Sequence, residues 1–62
     1  MKTYTVANVY DGLGYDCIVI VVRIDGAHAW VSWVQHGGDH SGFMRRVPAG
    51  ALRNVREMDL LA

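Results

Sequence analysis

The sequence predicts an all-β domain: five short strands in a small barrel, with one 3₁₀ turn before the last strand. Three observations predict it. Two strongly apolar runs, residues 17–24 and 27–35, flank Asp25-Gly26. Asp-Gly between such runs signals a hairpin, because tight primed turns need residues that tolerate positive φ. Residues 2–10 alternate Tyr4, Val6 and Tyr10 with Thr5, Ala7 and Val9, mostly strand-favouring types. Pro48 cannot donate to a ladder and closes the fourth strand, and Pro48-Ala49-Gly50-Ala51 leaves room for one 3₁₀ turn.

Residues 2–10 form the first strand. The glycines and aspartates of Asp11-Gly12-Leu13-Gly14-Tyr15-Asp16 mark a loop. Strands two and three are the central hairpin. A two-residue Asp25-Gly26 turn pairs Ile24 with Ala27, and opposite residues share a face. That register places Ile18, Ile20, Val22 and Ile24 beside Ala27, Ala29, Val31 and Trp33 on a wholly apolar face, assigned to the core. The outer face then holds Cys17, Val19, Val21 and Arg23 against Val34, Ser32, Trp30 and His28. A half-solvated antiparallel strand is polar on its outer side, whereas here only Arg23, His28 and Ser32 are polar. Residues 36–42 form a second loop, residues 43–47 the fourth strand and residues 52–55 a short fifth. Residues 57–62 read as a docking tail carrying Met58, Leu60 and Leu61.

Sixty-two residues make one domain. A chain this short buries only about 60% of its unfolded surface, and small domains add disulfides, metals or oligomerisation. Cys17 is the single cysteine, so it reads as a small buried hydrophobe in a protein of a reducing compartment. Oligomerisation is the remaining support, in keeping with the second apolar face. Net charge is zero, so no global field attracts nucleic acid or anionic membrane. The longest aliphatic run, residues 18–22, is far short of a membrane span. The N-terminus lacks a signal-peptide pattern and reads as unprocessed.

Candidate sites are few. Trp30 and Trp33 lie three apart on a strand and face opposite ways. Trp33 fills the core. Trp30 lies outside, covered by the tail or anchoring an interface, as tryptophan and arginine do at hot spots. The expected partner or oligomer surface is Val19, Val21, Trp30 and Val34, with Arg23 and His28 at its margin. Arg45, Arg46, Arg53 and Arg56 crowd the C-terminal third and define the alternative, a nucleic-acid grip. Arg45 and Arg46, being adjacent, point to opposite faces, so such binding would be weak. His36, Asp39 and His40 are metal-ligand types, but their glycine-containing loop has no zinc-motif spacing and reads as solvated. No nucleophile–base–orienter set is visible, so no catalytic residue, metal or cofactor is expected.

Five strands with a 3₁₀ turn before the last is the layout of an SH3-like barrel. Val47-Pro48-Ala49-Gly50-Ala51-Leu52 resembles the closing motif of SH3 domains, and Val9-Tyr10-Asp11 resembles part of the aromatic-acidic motif ending their first strand. The six-residue first loop is shorter than in that family, and Ala51 replaces its tyrosine before the final aliphatic, so a proline-peptide groove is not implied. Residues 45–55 also resemble the C-terminal part of type II plasmid dihydrofolate reductases, through Pro48, Ala51 and Leu52. Where that family has Val-Gln-Ile-Tyr this chain has Met44-Arg45-Arg46-Val47, so its catalysis does not carry over. Both resemblances bear on fold, not activity.

The function expected is therefore a non-enzymatic binding module acting by protein contact or self-association, of a virus- or plasmid-type accessory or structural kind. It would lie in the cytoplasm, or in a virion if viral. The alternative is a nucleic-acid-binding barrel, and an oligomeric enzyme with an interface active site ranks third.

Overall fold

The computed structural model describes residues 2–34 and 44–60. The elements are β1 (Lys2–Tyr10), β2 (Asp16–Asp25), β3 (His28–Trp33), β4 (Met44–Pro48), a 3₁₀ turn (Ala49–Ala51) and β5 (Arg53–Leu60). All five strands pair antiparallel in one sheet of order β4-β3-β2-β1-β5. The all-β class, the strand number and the turn before the last strand agree with the sequence reading. No helix among the described residues is long and apolar enough to cross a membrane. The molecule measures 30 × 25 × 19 Å. Its smallest dimension far exceeds the depth of one flat pleated layer, so the sheet is strongly coiled.

The β2–β3 hairpin forms around Gly26 and Ala27, with Asp25 opposite His28. Gly26 has φ +63°, which glycine adopts without steric cost. The turn is thus one residue later than the expected Asp25-Gly26 pair. Moving it changes the partners but not the faces: Ile24 lies opposite Ala29 instead of Ala27.

A β-bulge reverses the faces. Val21 pairs with Val31 and Arg23 with Trp30, leaving Val22 as an extra residue in β2. An extra residue inverts the alternation beyond it. Cys17, Val19 and Val21 therefore join Ala29, Val31 and Trp33 on the core side, and the expected inward set is corrected. Ile18, Val22 and Ile24 are exposed, while Ile20 is buried on the opposite face. Ala29, Val31 and Trp33 lie where β3 was expected to place them. The core is Ala7, Val9, Val19, Ala29 and Val31, with Cys17, Val21, Trp33, Val47 and Leu52 packed against it. Its fully buried members are valines and alanines, a small apolar payload. On the other face Val6, Ile20 and Ser32 form one buried row across β1, β2 and β3.

The fourth strand runs Met44–Pro48 and ends at the proline, as expected. Beyond it Ala49 N–H donates to Ala27 O at 2.8 Å, and Leu52 N–H to Ala49 O at 3.2 Å, closing the 3₁₀ turn. The fifth strand is longer than expected. Residues 57–60 are not a docking tail; they continue β5 along β1, from Thr5 opposite Glu57 to Lys2 opposite Leu60. Thr3 and Thr5 hydroxyls donate to Asp59 and Glu57. Leu61, also assigned to the tail, lies outside the described residues. A second bulge sits in β5, where Val6 pairs with Arg56 but Asn8 with Arg53. Asn54 turns through it at φ 51°, a left-handed conformation that asparagine adopts more readily than most residues.

Candidate functional site

The registers define which side chains share the face opposite the core. From β1 come Lys2, Tyr4, Val6, Asn8 and Tyr10. From β5 come Arg53, Arg56 and Met58. Asp16, Ile18, Ile20 and Arg23 come from β2, His28, Trp30 and Ser32 from β3, and Met44 and Arg46 from β4. Five of the six cationic side chains, all but Arg45, stand on this face. Arg45, opposite Val31, points to the core side at the sheet edge. Asp16 and Asp25 stand on this face as well, opposite Tyr10 and His28, so among the described strand residues it carries an excess of cations behind the zero net charge.

At the β2–β3 end of this face lies a shallow groove of about 350 Å³ lined by Val22, Arg23, Trp30 and Met44. Trp30 is half-buried between two arginines, with Arg23 directly opposite on β2 and Arg46 on β4. Arg23 makes only a loose pair with Asp25 at 3.9 Å, both side chains well exposed. Arg46 is exposed and has no ion pair to a described residue. The lining suits an interface: Trp, Met and Arg are the types enriched at contact surfaces.

Of the expected contact residues, Trp30, Arg23, His28 and half-buried Val34 stay out of the main core, whereas Val19 and Val21 do not reach the surface. Val19 is fully buried and Val21 packs on the core, because the bulge at Val22 turned both inward. Val22, Met44 and Arg46 take their place around Trp30. Sequence reasoning put Val22 inside because the β2 bulge leaves no mark in an aliphatic run, and it did not bring Met44 and Arg46 to Trp30 because the β3–β4 register could not be read across the intervening loop.

At the other end of the face, Arg53 and Arg56 are engaged with their own chain. Arg53 donates to Asp16 Oδ1 at 2.6 Å, and its guanidinium lies 3.7 Å from the Tyr10 ring centroid. Arg56 donates to Asn8 Oδ1 at 2.7 Å and to Asn54 O at 2.9 Å, while Asn8 donates to Asp16 Oδ1 at 3.3 Å. The hydrogen bond from Arg53, and then that from Asn8, holds the Asp16 carboxyl below its ordinary pKa. This network ties β5 to β2 across β1. The four C-terminal arginines therefore divide: Arg53 and Arg56 brace the sheet, Arg46 flanks Trp30 and Arg45 faces away.

The β1–β2 loop is firmly built. Asp11 Oδ1 accepts Leu13 N–H at 2.8 Å and Tyr15 N–H at 2.9 Å. Asp11 N–H donates to Tyr15 O at 2.9 Å, and Gly14 N–H to Asp11 O at 3.2 Å. Yet Leu13 is 85% and Tyr15 69% exposed. Cys17 is half-buried against the core, its thiol 3.7 Å from Tyr15 O. His36, Asp39 and His40 lie outside the described residues. No group of three metal-ligating residue types gathers among the described ones. Compared with known protein families, curated proteins and solved structures, the chain matches none.

Proposed function

We propose that this chain is a small non-enzymatic binding module of SH3-like barrel type that works by protein contact through the groove around Trp30. The observation that carries the reading is a half-buried tryptophan flanked by two exposed arginines and lined by Val22 and Met44. Such a setting provides a large apolar anchor with charged groups at its margin, the composition of an interface hot spot. The SH3-like assignment draws support from β5 lying beside β1 and from the 3₁₀ turn before it.

The second reading is a single-stranded nucleic-acid binder. The observation favouring it is the collection of five cations on the face that bears Trp30 and Tyr10. Small barrels bind single strands by combining basic grooves with stacking aromatics. The first reading ranks higher because Arg53 and Arg56 are already engaged, leaving few cations for phosphates.

A photo-crosslinking amino acid in place of Met44 tests both readings in cells making the protein. Polypeptide adducts that disappear with Trp30→Glu support protein contact. Adducts confined to nucleic acid would promote the second reading, and no adduct at all would refute both.

A further inference from the structure

Among the described residues, six of the eight exposed large apolar side chains gather at two places, while Ile24 and Val55, 57% and 56% exposed, belong to neither. Tyr10, Leu13, Tyr15 and Ile18 are 61%, 85%, 69% and 39% exposed at the β1–β2 turn, and Val22 and Met44 are 53% and 51% exposed beside Trp30. Leu13 and Tyr15 of the first group project on the loop between β1 and β2, whereas the second group lines a recess. Tyr10 and Asp16, which flank the loop, lie on the same face as Trp30. From Tyr15 at the loop to Val22 at the groove the chain runs seven residues along β2, about 23 Å at the usual rise. A copy therefore cannot seat its own loop in its own groove.

We infer that the groove's occupant is the β1–β2 loop of a second copy of this chain, with Leu13 as the inserted side chain and Tyr15 packed beside it. The inference rests on protein contact at the Trp30 groove. Several observations favour this occupant. The groove's 350 Å³ equals about a dozen waters at roughly 30 Å³ each, room enough for side chains to enter. The loop is already fixed by its four hydrogen bonds, so little ordering entropy is lost on docking. Charges match as well: the loop carries Asp11 and is flanked by Asp16, and the groove is flanked by Arg23 and Arg46. Asp16 is already paired with Arg53, so the charge offered to the groove is that of Asp11, whose Oδ1 caps the loop's N–H groups but which has no ion pair among the described residues. The small core gives such a chain a physical reason to bury surface against another copy.

Each copy has one loop and one groove. An antiparallel pair satisfies both at once and closes, whereas a head-to-tail arrangement would extend into a filament. The antiparallel pair is the arrangement inferred.

Sedimentation over a range of concentrations provides the test. The wild-type chain should reach twice its monomer mass and stop there. Leu13→Asp and Trp30→Glu should each require at least a tenfold higher concentration to associate. Leu13 is almost fully exposed, so its variant should keep the wild-type melting temperature when measured as a monomer. Mixing the two variants is the decisive step, because a mixed pair regains one native loop–groove contact. Association of the mixture where neither variant associates alone supports the pairing. A monomeric wild type, a pair indifferent to Leu13→Asp, or a mixture no better than its components would overturn it. If the wild type is monomeric yet position 44 crosslinks to another polypeptide, this inference fails while the proposed function stands. Crosslinks to nucleic acid alone would sink both.

Discussion

Asp16 holds β5 to β2 through one side chain. Its carboxylate accepts from Arg53 and Asn8, and both bonds favour the charged form. The folded-state pKa is therefore lower than the unfolded one. A depressed carboxylate pKa contributes stability above the unfolded value, and that contribution disappears as pH falls through the folded value. The melting temperature should hold above about pH 4 and decline in more acidic solution. Asp16→Asn should start lower at neutral pH and decline less steeply in acid. Parallel wild-type and variant curves would show that the Asp16–Arg53 bond has no bearing on acid stability. Asn54 and Gly26 illustrate the same scale in the backbone: each adopts a positive φ where the strand pattern turns or shifts.

At the scale of elements, the bulge in β2 sets the composition of both faces. Residues 18–22 are aliphatic throughout, so no polar residue marks where alternation shifts. Either register offers an apolar face, and packing in three dimensions selects between them. The selection can be tested with nearly isosteric substitutions. Val19→Thr places a hydroxyl in a fully buried site and should cost about 1–3 kcal/mol. Val22→Thr, at an exposed bulge position, should change stability by no more than ~0.5 kcal/mol. Denaturant titration of the two variants decides the matter, and the reverse ranking would restore the unbulged register. The β5 strand is a second case. Glu57, Met58, Asp59 and Leu60 alternate as a strand should, but Asn54 interrupts the pattern just upstream. The bulge absorbs that interruption and lets pairing with β1 continue.

Across the whole molecule, zero net charge and a polarised charge distribution coexist. Five cations occupy one face with Asp16 and Asp25, while Glu57 and Asp59 lie on the other with Thr5 and Thr3. Near its pI of 6.8 the protein has little net repulsion between copies, which favours association. The same distribution bounds any nucleic-acid affinity. Each phosphate contact on a single strand contributes about −0.7 to the slope of log affinity against log salt. With Arg23, Arg46 and Lys2 as the cations outside the Asp16–Arg53–Arg56 network, the slope should be roughly −2, and Arg46→Ala should lower its magnitude by about 0.7. Fluorescence titrations with an oligonucleotide at several salt concentrations measure it. Tight binding that persists at several hundred millimolar salt would contradict this account and raise the nucleic-acid reading above protein contact.

The sequence by itself determined the all-β class, the number of strands and their succession along the chain, the central hairpin, the halt at Pro48 and the outward side of Trp30. Those features follow from local chemistry: strand-favouring runs, a glycine free to take positive φ, and a proline that cannot donate to a ladder. Only the tertiary structure decided that Val19 and Val21 are core while Ile18 and Val22 are not. It also decided that residues 57–60 pair with β1 and that Arg46 comes to stand beside Trp30. These depend on two bulges and on pairings between segments far apart in the chain. A bulge within a uniformly aliphatic run leaves no trace in the alternation, and a register set across a long loop is chosen by the packing it completes.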